Sequence, residues 1–227
     1  DNEASLFINS EIYKYVDYYL KSKLPVDENY YNFKYYGLRS YTDFYHKKYR
    51  VKDDKINYSE TISKDDQKKN ILGWNNGICD YSLFSSVKRK IFSLTKFTKI
   101  LKFDLNTNIK KINLSSRISQ SYSRNTINFQ RDFILKNFSK VTNTERVNKF
   151  KYFNELSQSY SSLSPFGWGE ICYRDFEAAL GGSLLIKPDM SHIDTWPNLY
   201  EKNMYIPLSW DLSNLQDLEY LFDNIEK

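Results

Sequence analysis

Most of the side chains that could carry chemistry lie within residues 164–200, SPFGWGEICYRDFEAALGGSLLIKPDMSHIDTWPNLY. Gly167 and Gly169 flank Trp168 just before a predicted helix, and a glycine backbone can approach a ligand closely. The N-terminus of a helix offers free N–H groups and a positive dipole end, which attract an anion. We therefore expect this loop to bind a phosphate-bearing ligand, with Trp168 as a possible stacking platform.

The helix predicted over residues 170–180 carries the charged candidates. Glu170 lies at its start and Glu177 about two turns further on, so both side chains should project from one face. Arg174 lies one turn from each and could pair with either carboxylate or with a phosphate. The alternative is that Glu170 is only a favourable first-turn charge and Glu177 a solvated residue. The apolar neighbours of Glu177 weigh against that alternative, because a buried carboxylate needs a partner.

Asp189 and His192 follow the strand predicted over residues 183–186. In an open α/β sheet, the loops beyond the carboxyl ends of the strands face the ligand crevice. We therefore expect both side chains to contribute to a binding site, although a histidine that caps a turn is an equal alternative for His192.

Asp43 and His46 are a second candidate pair, in the sequence TDFYH. A histidine beside a carboxylate has the chemistry needed to take a proton from a hydroxyl group of a substrate. The same spacing is common by chance, so a role without chemistry stays open for both residues.

Three arginines, Arg117, Arg124 and Arg131, run from the end of a predicted strand into a predicted helix. Arginine binds a diphosphate with paired hydrogen bonds, although solvated surface arginines are the alternative. The basic run at residues 88–90 could contact an anionic membrane, or it could form a solvated helix face. No metal site is expected, because carboxylate pairs of the DFD type are absent and the two histidines lie far apart in the sequence, although the fold could bring them together.

The predicted elements of residues 109–227 alternate between strand and helix. Strands are predicted at 111–117, 160–164, 183–186 and 204–207, and helices at 125–137, 149–158, 170–180 and 214–225. Such alternation is typical of an α/β fold with a parallel sheet. Residues 1–108 predict an amphipathic helix over 11–24 that ends at Pro25, an irregular tyrosine-dense stretch over 27–50 and an exposed loop over 52–69. A strand over 70–74 and a helix over 80–94 complete this half.

Composition excludes several classes of protein. The chain has 227 residues, 17% aromatic side chains, a net charge of +5 and two cysteines. Two cysteines cannot build a disulfide framework, and this mild charge is far from the dense basic patch of a nucleic-acid-binding protein. No apolar run approaches the roughly 20 residues that span a bilayer. We therefore expect a cytoplasmic protein in a reducing compartment, with the membrane's inner face as a possible docking surface.

The segment from Gly167 to Tyr200 resembles the donor-binding half of GT-B glycosyltransferases of the family 1 and family 4 type. It is similar in particular to bacterial enzymes found with surface-polysaccharide genes. The resemblance extends to YTDFYHKKY (41–49), GWNNGICDYSLF (73–84) and RNTINFQR (124–131). It implies a Rossmann-like donor-binding domain over residues 109–227 and an incomplete N-terminal α/β region over residues 1–108. The chain is therefore expected to lack part of the acceptor domain.

The resemblance also implies roles for the candidates. Glu177 would bind the ribose of a nucleotide sugar, Arg117 or Arg174 its phosphates, and Glu170 would lie with the glycine loop at the sugar. The acceptor would be a glycan or a lipid-linked saccharide, with no cofactor, metal or nucleic acid required. The spacing of the two glutamates departs from the family pattern. Residues 171–176 separate Glu170 from Glu177, and the family has one residue more at this point. The alternative is a non-catalytic domain that binds a nucleotide, a glycan or a protein partner.

Overall fold

The computed structural model describes residues 6–78, 109–201 and 203–224. Its strands are β1 (Tyr19–Lys21), β2 (Lys23–Pro25), β3 (Asn70–Leu72), β4 (Ile112–Ser115), β5 (Ser159–Leu163), β6 (Leu184–Pro188), β7 (Ile193–Thr195) and β8 (Tyr205–Leu208). Its α-helices are α1 (Ser40–Tyr49), α2 (Lys64–Gln67), α3 (Asn125–Asn137), α4 (Lys149–Ser157), α5 (Tyr173–Leu180) and α6 (Leu215–Asp223). Three 3-10 helices cover Ser10–Lys14, Glu28–Asn32 and Asn76–Ile78.

A four-stranded parallel sheet in the order β4-β5-β6-β8 forms the centre of the fold. The prediction of an α/β fold with a parallel sheet is therefore confirmed. On one face, apolar side chains such as Leu163 and Ile186 pack with Leu218 and Phe222 of α6. Parallel sheets of this kind are covered on both faces, because the crossover helices pack against them.

On the opposite face, α5 packs against β6 and α4 packs against β4 and β5, while α1, from the N-terminal half, packs against α3. Leu185 of β6 belongs to the same buried cluster as Phe176 of α5 and Tyr41 of α1. The ring of Tyr41 lies 4.6 Å from that of Phe166. Residues from both predicted halves of the chain thus contribute to one core.

The helix predicted over residues 11–24 is wrong. After the 3-10 helix the chain forms β1, which pairs in parallel with β3, and β2, which pairs antiparallel with β7. The buried positions include Lys21 and Lys23, each satisfied by a polar partner: Lys21 donates to the carbonyl of Phe7, and Lys23 pairs with Glu170. In a sequence pattern a lysine counts as an exposed polar position. The alternation of buried and exposed residues along these strands therefore could not be recognised.

Helix α1 was also missed, since residues 27–50 were predicted to be irregular. Its buried face includes polar residues such as Ser40, Thr42 and Asp43, so it has no apolar stripe to recognise. Most of the other predictions are confirmed to within a few residues, including α3, α4 and β3. The prediction of an exposed loop over residues 52–69 is wrong in part, because this stretch contains α2 and buries Asp53 and Ile62, and β7 was not predicted. Helix α5 begins at Tyr173 rather than at residue 170. The helix predicted over residues 80–94 lies outside the described residues.

Candidate functional site

A cavity of about 420 Å³ opens beside the carboxyl end of β4, and we call it the arginine cavity. Arg117 follows β4, Arg174 and Glu177 lie on α5, and Tyr152 lies on α4. Its full lining is Arg117, Ser119, Thr144, Arg146, Val147, Tyr152, Arg174 and Glu177. The fold thus brings together three of the residues selected from the sequence, although they come from two separate crossovers of the sheet.

The guanidinium groups of the arginine cavity are held by neighbouring acceptors. Arg117 forms a paired contact with Glu155, with Nη2 2.7 Å from Oε2 and Nε 2.9 Å from the same oxygen. Arg174 donates through Nη2 to the carbonyl oxygen of Arg117. Its Nε is buried and has no hydrogen-bond partner among the described residues. Since a buried unsatisfied donor is costly, this atom favours a ligand oxygen in the cavity.

Glu177 supplies the acceptor in this cavity. The hydroxyl of Tyr152 donates to Glu177 Oε2 over 3.1 Å. Burial raises the pKa of Glu177, while the hydrogen bond from Tyr152 and the charge of Arg174 act in the opposite direction. A carboxylate beside guanidinium groups can accept hydrogen bonds from sugar hydroxyls while the arginines bind phosphate oxygens.

The predicted glycine loop faces the N-terminal half rather than the arginine cavity. The hydroxyl of Tyr41 donates to the carbonyl of Gly167 over 2.7 Å, and Arg39 Nε donates to the carbonyl of Trp168. The N–H of Gly167 donates to the carbonyl of Gly169 over 3.2 Å. Trp168 is 40% exposed. The loop therefore joins the sheet to α1, and none of Gly167, Trp168 and Gly169 lines the arginine cavity.

Glu170 is separated from Glu177, so the prediction that both project from one helical face is wrong. Glu170 precedes α5, is fully buried, and lies 3.5 Å from Lys23 Nζ. Lys21 is nearby, and its pKa is lowered to about 8 by burial and by the charge of Lys23, against the opposing effect of Glu170. The helix starts late because Asp175, not Glu170, accepts the N–H of its N-cap residue, Cys172.

A second site lies at the carboxyl ends of β6 and β8, and we call it the aromatic groove. It consists of two adjoining cavities of about 500 and 480 Å³ that share Tyr30, Phe44 and Trp210. The first cavity is also lined by Asp189, Ser191, His192, Pro207, Ser209, Asp211 and Asn214. The second is also lined by Tyr35, Ser40, Asp43, Lys47 and Lys48.

Three residues selected from the sequence meet in the aromatic groove, namely Asp43, Asp189 and His192. Asp43 belongs to α1 and the other two to the loop after β6, so the groove is formed by both halves of the chain. His46 does not line it. The Nδ1 atom of His46 lies 2.7 Å from the carbonyl oxygen of Val51, and its ring stacks on Tyr36 at 3.8 Å.

The remaining predicted arginines hold the fold together. Arg124 contacts Asp53 Oδ2 over 3.1 Å, and Arg131 donates through Nε to the carbonyl of Phe166 over 2.9 Å. The basic run at 88–90 lies outside the described residues. Among residues 6–78, 109–201 and 203–224, no three His, Cys, Asp or Glu side chains form a group that could hold a metal ion. In the same ranges no helix is long and apolar enough to cross a membrane.

Sequence reasoning missed several residues of both sites. Arg146 and Tyr152 line the arginine cavity, and Tyr30, Phe44 and Trp210 line the aromatic groove. The tyrosine-dense stretch over 27–50 was a signal for the groove, since half-buried aromatic side chains are common in ligand sites. No local pattern distinguishes Arg146, because it reaches the cavity from the loop before α4.

The fold and the two sites define the chain as a mixed α/β protein with a four-stranded parallel sheet, consistent with a Rossmann-like arrangement. Comparison with known proteins extends this no further: no family model, curated protein or solved structure matches the chain.

Proposed function

We propose that this protein is a GT-B-like glycosyltransferase that takes a sugar from a nucleotide-sugar donor held in the arginine cavity. The observation that carries the proposal is the meeting of Arg117, Arg174 and Glu177 in one cavity at the carboxyl edge of a parallel sheet. Ligands of open α/β sheets bind at this edge. The resemblance of residues 167–200 to donor-binding domains supports the same assignment.

The chemistry assigned to the cavity follows from its side chains. Glu177 accepts hydrogen bonds from the ribose hydroxyls, and the guanidinium groups of Arg117 and Arg174 bind the diphosphate. As an acceptor hydroxyl attacks the anomeric carbon, the bond from that carbon to the diphosphate oxygen breaks and the diphosphate leaves with the electron pair. Fixed positive charge stabilises this leaving group in the transition state. A carboxylate from the N-terminal half receives the hydroxyl proton. Asp43 is the candidate for this role, because it lines the aromatic groove and His46 does not.

The acceptor in this proposal is a glycan or a lipid-linked saccharide used in surface-polysaccharide synthesis. The resemblance to bacterial polysaccharide enzymes supports this choice. Transfer would take place on the cytoplasmic side, where nucleotide sugars are made.

Calorimetric titration with a panel of nucleoside diphosphates tests the donor site. We expect the wild-type chain to bind at least one, and Glu177→Ala to bind it about tenfold more weakly, since hydrogen bonds to charged groups contribute about 1.5–3 kcal/mol. Glu219→Ala is the matched control, because Glu219 binds Ser139 and does not line the cavity. Failure of the folded wild-type chain to bind any nucleoside diphosphate would contradict the proposal.

One observation favours a non-catalytic nucleotide-binding domain as the second candidate. Glu170 is buried against Lys23, and His46 is stacked on Tyr36, so neither reaches a cavity described here. A binding domain without turnover would bind nucleoside diphosphates and release none from nucleotide sugars. An assay of nucleoside-diphosphate release with a panel of nucleotide sugars and saccharide acceptors separates the two candidates.

A further inference from the structure

The aromatic groove presents ring surfaces in several orientations. Phe44 and Trp210 meet edge to face, with centroids 5.5 Å apart at 78°. Tyr30 stacks on Tyr35 at 5.9 Å and 15°. Each of these four side chains is only partly buried. Partly exposed rings in a concavity offer apolar surface to a ligand that has an apolar face of its own.

Buried polar atoms without partners border the same groove. Ser40 Oγ and both ring nitrogens of His192 are buried and have no hydrogen-bond partner among the described residues. The His192 ring is enclosed by Trp210, at 5.0 Å, and by Tyr30, at 6.2 Å. A neutral imidazole has one donor and one acceptor nitrogen, which matches a hydroxyl group that can do both. Such atoms favour a hydroxylated ligand, because it would satisfy them.

The charges of the groove are unsuited to an anionic ligand. Asp43 pairs with Lys47 over 2.7 Å, and Asp211 pairs with Lys48 over 2.6 Å. In the part of the chain that the structure describes, no lysine or arginine pairs with Asp189 in this way. Its carboxylate accepts from the hydroxyl of Ser191 over 2.6 Å and from that of Tyr205 over 3.2 Å. The groove therefore carries an excess of carboxylate, which repels phosphates and carboxylates and accepts hydrogen bonds from hydroxyls.

We propose that the aromatic groove binds an uncharged saccharide, with a sugar ring against Trp210 and its hydroxyls on Asp189 and His192. Apolar C–H faces and rows of hydroxyls are the two features of a sugar that match these surfaces. A cavity of about 500 Å³ lies within the size range of small-molecule sites. Within the proposed function this saccharide is the acceptor, and only that assignment rests on the proposed function.

Binding of neutral oligosaccharides without nucleotide tests the groove directly. The probes are short oligosaccharides of glucose, galactose, mannose and N-acetylglucosamine, with uronic-acid oligosaccharides as anionic counterparts, titrated by saturation-transfer NMR and calorimetry. We expect at least one neutral probe to bind and the anionic counterparts to bind more weakly. Asp189→Asn and Trp210→Ala should each weaken binding about tenfold or more, the effect of losing a charged hydrogen bond or a buried aromatic contact.

Trp74→Ala is the matched control, because Trp74 is 61% exposed and does not line the groove. Trp210 also packs near Phe44 and Phe166, so circular dichroism and thermal melting must show that Trp210→Ala folds. If that variant unfolds, the near-isosteric Asp189→Asn carries the test.

Three results would overturn the inference: no neutral probe binds the folded wild-type chain, anionic probes bind better, or the folded groove variants bind like wild type. Saccharide binding without any nucleoside-diphosphate binding would leave the groove in place and remove the proposed function. Nucleoside-diphosphate binding without saccharide binding would remove the saccharide site in the groove and leave the proposed donor site in place.

Discussion

The arginine cavity and the aromatic groove lie at the same edge of one sheet and have opposite chemistry. The arginine cavity follows β4 and is lined by Arg117, Arg146 and Arg174 with one carboxylate. The groove follows β6 and β8 and is lined by aromatic rings with an excess of carboxylates. The strands supply only the position of each site. The side chains that follow each strand, and the helices packed beside it, decide whether a site suits an anion or a neutral ligand.

A buried ionic network connects the two sites. Asp175 of α5 and Lys187 of β6 are both fully buried, with Nζ 3.1 Å from Oδ2. Asp175 also accepts from the hydroxyls of Ser164 over 2.5 Å and Tyr200 over 2.6 Å. Helix α5 presents Arg174 to the arginine cavity, and β6 leads into the loop that carries Asp189 to the groove. We therefore expect the position of each site to depend on this one network.

The largest effect on stability is expected from a substitution that should weaken ligand binding at both sites. Asp175→Asn leaves the Lys187 ammonium buried without its charge partner, which costs about 3–5 kcal/mol of folding free energy. Urea unfolding followed by circular dichroism measures this loss, and both nucleotide and saccharide binding should weaken in the same variant. Asp65→Asn, at a surface pair with Lys68, is the control and should unfold like wild type. A stable Asp175→Asn chain that kept both binding activities would show that the sites are positioned independently.

The next effect should separate the sites. Arg174→Ala removes a guanidinium from the arginine cavity only, so nucleoside-diphosphate affinity should fall by about ten- to a hundredfold, the equivalent of about 1.5–3 kcal/mol for a charged hydrogen bond. Affinity for neutral saccharides should not change. Calorimetry with both classes of ligand on the same preparation checks this. An equal loss of both affinities would mean that the two cavities form one site.

The pH dependence of stability should reveal the carboxylate of the arginine cavity. Burial raises the pKa of Glu177 above its ordinary value of 4.5, so the folded state holds this proton more tightly than the unfolded state. The resulting stability is fully present below pH 4.5 and is lost as the pH rises through the folded pKa. As the pH rises through the folded pKa of Glu177, the wild-type chain should therefore lose folding free energy relative to Glu177→Gln. Denaturant titrations of both chains at several pH values measure the difference, and a constant difference would contradict it.

The smallest effect on stability is expected at the aromatic groove, and its dependence on pH should have the opposite sign. Burial lowers the pKa of His192 below its ordinary value of 6.5, against the opposing charges of Glu170 and Asp189. The unfolded chain then takes up a proton before the folded chain does. Wild type should lose stability relative to His192→Gln as the pH falls below 6.5. The same denaturant titrations test this, and a loss of stability on raising the pH instead would exclude a buried neutral imidazole.

The sequence predicted the C-terminal half of the fold well and the N-terminal half poorly. In the C-terminal half, strands such as β6 and β8 carry buried apolar side chains and alternate with helices, so the periodicity of the sequence follows its burial. In the N-terminal half, Lys21, Lys23 and Asp43 are buried and each pairs with a polar group, which the pattern of apolar residues does not show. The apolar pattern failed where burial depended on pairing rather than on hydrophobicity.

Local periodicity was enough to predict the parallel α/β layer, since it locates strand ends and helix positions. The same patterns indicated five candidates that line a cavity: Arg117, Arg174, Glu177, Asp189 and His192. How these candidates divide between two sites became visible in the folded chain alone. The tertiary structure placed the arginines and Glu177 in one cavity, moved Asp189 and His192 to another with Asp43, and buried Glu170 against Lys23. The physical reason is that contacts between distant segments depend on how helices and strands pack, and local sequence patterns carry no record of that packing.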